Sequence, residues 1–294
     1  MTTPPLALRI YLLTTALVCA GLGCDSTRST AAPPRPATQT SDASTPTPAS
    51  DTSLPAAPST PKGAQAAEPL PDVQFVEILT GTAEPTDELP MIVMIHGLGG
   101  RPEDLKGIFV PAFQMPARII LPQGLESYGG GFSWFPISRP IEAASPEMVD
   151  GLARSADAIA ALIERLSQQR RTRGKAIVSG FSQGGMLSFT IALRHPKVAR
   201  LAIPVSGWLP PALMPEGQDR IEGLPPIRAL HGDLDPLVKF EPTRVAVEAL
   251  VARGADAQLI PFEGVGHAFT RTMQVEYFNL LRESLTDQDL SEPQ

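Results

Sequence analysis

The sequence predicts an α/β fold in which a mostly parallel sheet is covered by helices on both faces, and three observations predict it. Seven strand-like apolar runs recur along the chain, at Val73–Thr80, Met91–Ile95, Ala117–Leu121, Lys175–Ser179, Leu201–Val205, Ile227–Leu230 and Ala257–Phe262. Helical patterns lie between several of them, and alternation of this kind is the signature of parallel strands joined by crossover helices. The run Pro90–Ile95 is continuously apolar, as expected for a strand buried on both faces.

The chain opens on a segment unlike the rest. Arg9 supplies a positive charge, and Ile10–Gly23 is apolar apart from Thr14 and Thr15. That length is too short to span a bilayer and suits a signal peptide, taken as residues 1–23. Its end, Gly21-Leu22-Gly23-Cys24, resembles a bacterial lipobox, with Gly21 where leucine is usual. The resemblance implies that Cys24 is lipidated and becomes the new N-terminus. Cys19, the only other cysteine, would leave with the signal, so no disulfide is expected. The expected location is the bacterial cell envelope, lipid-anchored on a periplasmic or cell-surface face; the alternative is a soluble secreted or periplasmic protein.

Residues 24–70 are expected to form a linker. Of the 46 residues after Cys24, 34 are Ser, Thr, Ala or Pro, with no aromatic residue. Such a composition buries too little apolar surface to offset the entropy of ordering and predicts disorder. Prolines stiffen it toward polyproline II, with a fully extended reach of roughly 140 Å at about 3.1 Å per residue. Residues 71–294 are long enough for one α/β domain with a full core.

Within that domain the first strand, 73–80, precedes the apolar run that ends in His96-Gly97-Leu98-Gly99-Gly100. Further on, Ser145-Pro146-Glu147 reads as a helix cap with proline in the first turn. That helix runs through Ala153–Leu166 to the Arg170-Arg171 cluster. Next comes Lys175–Ser179, followed at once by Gly180-Phe181-Ser182-Gln183-Gly184 and the helix-like run Gly184–Arg194. Strand, sharp turn and helix around a G-x-S-x-G sequence form the pattern of a nucleophile elbow. The turn lifts Ser182 above the sheet, and glycines on both flanks leave room for the close approach this requires. The helices at Val245–Arg253 and Arg271–Leu285 complete the alternation.

A nucleophilic serine needs a base and an acid, and the chain order serine, acid, histidine narrows the search. There are four histidines. His96 and His195 precede the serine or share its helix, and His231 closes a strand just before the acid candidates. His267 lies after the last strand in the glycine-rich Glu263-Gly264-Val265-Gly266-His267, from which a side chain can swing over the sheet edge. The acid is expected at Asp235, held before Pro236, in preference to Asp233. Asp233 is better placed to fix its loop through backbone N–H groups. The backbone N–H groups of Leu98 and Gln183 are the expected oxyanion donors, one from the turn after the second strand and one from the residue after the serine. The His96 side chain is expected to be buried and hydrogen-bonded.

These motifs together resemble the phospholipase/carboxylesterase family of α/β-hydrolases, which includes bacterial carboxylesterases and acyl-protein thioesterases. The resemblance rests on His96-Gly97-Leu98-Gly99, Ser133-Trp134-Phe135, Gly180–Met186, Val205–Pro210, His231–Val238 and Gly266-His267, and spans about residues 73 to 285. It implies a serine hydrolase that cleaves ester or thioester bonds through an acyl-enzyme, with Ser182 as nucleophile, Asp235 as acid and His267 as base. It also implies that Trp134 and Trp208 lie near the substrate pocket. From the residues themselves, Gly129–Trp134 reads as the pocket rim, its glycines letting the chain fold tightly beside Ser182 with Trp134 as an apolar wall. The alternative for either tryptophan is a core residue that does not touch substrate. A peptidase or a feruloyl-type polysaccharide esterase uses the same machinery. A surface-tethered binding protein on the same fold is the alternative outside enzymes.

Composition excludes other classes. Residues 71–294 carry 20 Lys and Arg against 27 Asp and Glu, which makes nucleic acid an unsuitable partner. The sequence has no metal-ligand spacing of Cys and His and no phosphate-binding glycine loop, so neither metal nor cofactor is expected. The expected partners are a small ester substrate and, through the lipid anchor, a membrane.

Overall fold

The computed structural model describes residues 69–291, apart from Pro111 and Gln218. The expected signal peptide, the Cys24 lipidation site and nearly all of the linker lie outside the described residues. In chain order the main elements are β1 (Phe75–Thr80), β2 (Met91–Ile95), α1 (Pro102–Phe109), β3 (Ala117–Pro122), β4 (Glu126–Tyr128), β5 (Gly131–Ser133), α2 (Pro146–Gln169), β6 (Ala176–Phe181), α3 (Gln183–Arg194), β7 (Ala199–Val205), β8 (Ile227–Gly232), α4 (Phe240–Ala252), β9 (Ala257–Phe262) and α5 (Arg271–Ser291).

Seven strands form one sheet in the order β1-β3-β2-β6-β7-β8-β9. Only the edge strand β1 runs antiparallel, paired with β3, and every other pairing is parallel. The pleat divides β2 between the two faces. Met91, Val93 and Ile95 enter one core with α2 and α3, while Ile92 and Met94 enter the other with α1 and α5. This explains the continuous apolar run, since a strand covered on both sides has no solvent-facing position. A third cluster packs α4 and α3 on β7 and β8 through Ala202, Ile227, Val247 and Leu250. The chain thus has the expected α/β architecture.

The helix at Pro146 begins as its sequence predicts, with the Ser145 hydroxyl accepting the Met148 N–H at 3.3 Å. Two elements were not predicted, the short α1 and the β4–β5 hairpin. The parallel pairing of β2 with β6 matters most for function. It aligns Ile95 with Gly180 and sets the His96–Gly100 turn beside the Ser182 turn at one edge of the sheet.

Candidate active site

Ser182 stands between β6 and α3 with φ 57° and ψ −114°, a backbone conformation that disfavours any side chain. Its N–H donates to Val205 O at 2.9 Å, and its carbonyl accepts the Met186 N–H at 3.0 Å, so both strand and helix hold the turn. The flanking glycines are required sterically. A Cβ on Gly184 would come within 2.1 Å of Ile95 O, and one on Gly180 within 2.5 Å of the Gly184 carbonyl carbon.

His267 hangs from the loop after β9. Its Nε2 lies 2.9 Å from Ser182 Oγ and its Nδ1 2.7 Å from Asp235 Oδ2. The Phe181 ring lies against the imidazole at 4.9 Å between centroids. Asp235 is buried, and its Oδ1 accepts the N–H groups of Leu237 and Val238, both at 2.9 Å. Burial alone would raise its pKa. Hydrogen bonds from His231 and His267, the His267 charge and the Val238 N–H outweigh that and hold the carboxyl well below the usual carboxylate range. Sequence reasoning did not foresee the part of His231. Its Nε2 donates to Val238 O at 2.8 Å and sits 3.5 Å from Asp235 Oδ2, bracing the acid from behind. The position of His231 at a strand end four residues before Asp235 was the available signal.

Asp233 is spent elsewhere. Its Oδ1 accepts the Gly264 N–H at 2.7 Å, while Leu234 N–H donates to Val265 O at 3.0 Å. The turn after β8 is thereby tied to the loop that carries His267. Asp235 thus faces the histidine, and Asp233 faces the loop that carries it.

The His96–Gly100 turn is pinned on all sides. Burial lowers the His96 pKa, partly offset by its bond to Gly97, so the ring is neutral. Nδ1 then donates to Gly97 O at 2.7 Å and Nε2 accepts the Gly124 N–H at 3.0 Å. Within the turn, Gly99 and Gly100 N–H groups are taken by Phe132 O and Gly97 O. Among the described residues nothing takes up the amides of Leu98 or Gln183, the latter being the first residue of α3.

Ser182, His267, Leu98 and Gln183 line one cavity of about 220 Å³. Its walls are mostly apolar, built from Ile137, Ile141, Met186, Leu237 and Val238. Trp134 and Trp208 do not line it, which corrects the expectation that they wall the pocket. Both are buried in the core beside α2 and α3. The Trp134 indole N–H donates to His96 O at 3.1 Å, and its ring lies 5.2 Å from the His96 ring, so it supports the turn from behind. The rim role of Gly129–Gly131 is corrected too. Gly131 instead packs under the Gly99 carbonyl, where a Cβ would approach to 2.1 Å. Ser133, Trp134 and Phe135 are held by the Gln183 carboxamide, which accepts the Trp134 N–H at 3.1 Å and donates to Phe135 O at 2.8 Å. No group of His, Cys, Asp and Glu among the described residues is arranged to hold a metal ion.

A parallel sheet with a serine at a strand-to-helix elbow and a histidine on the loop after the last strand defines an α/β-hydrolase. The sequence pattern of the phospholipase/carboxylesterase family matches residues 81–281, and the chain belongs to that family of esterase-type hydrolases. A probable carboxylesterase of Oryza sativa subsp. japonica is 27% identical over 196 residues, covering 61% of this chain and 72% of its relative. The esterase YpfH of Escherichia coli (strain K12) is 27% identical over 194 residues, covering 63% and 78%. Among solved structures, esterase PE8 superposes with a TM-score of 0.60 at 24% identity, over 72% of this chain and 99% of that one. Acyl-protein thioesterase 2 of Zea mays superposes with a TM-score of 0.57 at 23% identity, over 72% and 99%.

Proposed function

We propose that this protein hydrolyses carboxylic esters, and thioesters by the same route, through an acyl-enzyme on Ser182. The observation that carries this reading is the unbroken hydrogen-bond line from Asp235 Oδ2 through His267 to Ser182 Oγ, at 2.7 and 2.9 Å. In the first step Ser182 Oγ attacks the carbonyl carbon while His267 Nε2 takes its proton. The carbonyl oxygen becomes an oxyanion facing the Leu98 and Gln183 N–H groups, at the positive end of α3. Collapse of the tetrahedral species breaks the bond to the alcohol or thiol, which leaves with the proton from His267. Water then repeats the sequence on the acyl-serine and releases the carboxylic acid. Asp235 holds the Nδ1–H tautomer and stabilises the imidazolium without taking the proton. A fluorophosphonate should label the wild-type protein at Ser182 and leave Ser182→Ala unlabelled. Labelling that persists on another serine would overturn the assignment.

The residues that precede the described ones support a second proposal, that Cys24 carries a lipid and anchors the enzyme to a bacterial membrane. A diacylglyceryl group with an N-acyl chain exceeds the two-signal threshold for stable attachment. The mature protein should begin at a modified Cys24 by mass spectrometry and partition into detergent, and Cys24→Ser should abolish both. An unmodified N-terminus elsewhere removes the anchor.

A further inference from the structure

We propose that Arg139 selects esters carrying an anionic group, a carboxylate or a phosphate, a short distance from the scissile carbonyl. This rests on the esterase reading of the same cavity and names the substrate class within it. Apart from His267, Arg139 is the one ionisable side chain that lines the cavity. The only lining carboxamide, on Gln183, is occupied by Ser133, Trp134 and Phe135. A substrate charge therefore has one side chain to answer it.

Arg139 is also uncommitted. Arginines elsewhere in the fold are engaged, such as Arg194 with Asp157, Arg244 with Glu241 and Arg228 with Asp256. Arg139 makes no hydrogen bond or ion pair with any described residue. The acid nearest to it in sequence, Glu142, accepts the Lys239 N–H at 3.3 Å instead. Arg139 is an exposed residue of the cavity lining, on the segment that also supplies Ile137 and Ile141. Its planar fork matches a carboxylate or phosphate in two parallel hydrogen bonds, and the apolar wall beside it limits competing water.

Size narrows the substrate further. A cavity of about 220 Å³ falls below the range of roughly 300–1,000 Å³ for sites that take drug-sized ligands. The fitting substrate is a small ester with its carbonyl at Ser182 and its anion at Arg139, and the esters below carry that anion at the far end of the acyl group.

The test compares three ethyl esters of matched length, followed by alkali uptake at constant pH with the full protein. Monoethyl succinate carries a carboxylate, ethyl 3-phosphonopropanoate a phosphonate, and ethyl butanoate no charge. Wild type should favour one or both anionic esters over the butanoate in kcat/KM, and the stronger of the two identifies the anion. Arg139→Gln should lower that ratio roughly ten- to hundredfold, the scale of a charge-assisted hydrogen bond. The loss should fall mainly on KM, because Arg139 does not touch the reacting atoms. Arg139→Lys should recover part of the ratio and Arg139→Glu should invert it. A ratio identical in wild type and Arg139→Gln overturns the role of Arg139 while leaving the esterase reading intact. If wild type cleaves none of the three esters and no fluorophosphonate reacts, the esterase reading itself fails and this inference falls with it.

Discussion

Ser182 and Ser206 close adjacent parallel strands, and both carry a left-handed backbone, with φ of 57° and 46°. Each donates its N–H to the next strand over, Ser182 to Val205 O at 2.9 Å and Ser206 to Leu230 O at 2.8 Å. A glycine that lets neighbouring backbone close in follows Ser206 directly and Ser182 two residues on. A Cβ on Gly207 would meet the Gly185 carbonyl carbon at 2.3 Å, just as one on Gly184 would meet Ile95 O. The environments then diverge. Ser182 Oγ opens into the cavity 2.9 Å from His267 Nε2, whereas Ser206 is wholly buried and its hydroxyl has no partner among the described residues. A strained turn at a strand end is therefore a means of placing a residue. It becomes a reactive site only where a base and open space meet it.

The largest expected effect tests this contrast at Ser182. Ser182→Ala should lower the turnover number by about 10⁶, the scale for removing a triad nucleophile, because the acyl-enzyme route is lost. Folding should survive, since the Oγ makes one partly exposed bond and the elbow is held by backbone contacts. A loss of only tenfold would mean that turnover does not pass through this serine.

Next in size is the pair of aspartates. Asp235→Asn should slow catalysis by about 10⁴, because the imidazole loses the acceptor that fixes its tautomer. It should also flatten the acid side of the stability profile. A carboxyl whose folded pKa is depressed contributes stability above its unfolded value near 4, and loses it as the pH falls through the folded value. Asp233→Ala should instead cost about 1 kcal/mol of stability, the scale of one hydrogen bond, with a smaller effect on turnover. Denaturant curves and kcat measured together check both, and a reversal of the two effects would exchange the roles.

Met91–Ile95 was legible because burial on both faces forces an uninterrupted apolar run, and the edge strand Ala257–Phe262 also falls where the sequence puts it, though none of its residues is fully buried. Ser182, Asp235 and His267 could be picked out as candidates because chain order and small flanking residues leave few choices, and the fold brings Ser182 and Asp235 each within hydrogen-bond distance of His267. The misses have physical reasons. Helix α1 spans only eight residues and starts from Arg101, not a usual capping residue. The β4–β5 hairpin has strands of three residues, too short for any alternation to register. Trp134 sits in a glycine-rich stretch that suggests a rim, yet its N–H is needed at His96 O, and that draws it inward. Arg139 left no trace in the sequence. One arginine on a loop follows no period, and only the path of the chain brings it to the cavity.

The smallest expected effect completes the comparison at Ser206. Among the described residues its hydroxyl is buried without a partner, as is His231 Nδ1, and the β7–β8 pairing of Val205 with Leu230 makes Ser206 and His231 successive neighbours. A buried hydroxyl without a hydrogen bond costs free energy that an alanine does not, of the order of 1–3 kcal/mol. The left-handed φ burdens serine and alanine alike, and the N–H to Leu230 O survives the change. Ser206→Ala should therefore leave the melting temperature unchanged or raise it by a few degrees, with kcat/KM within about twofold and fluorophosphonate labelling intact. Should the variant instead lose more than about 1 kcal/mol, the hydroxyl must have a partner in solution, such as a buried water shared with His231 Nδ1. Activity would then fall with stability, because His231 braces Asp235, and the two strand-end serines would belong to one connected site.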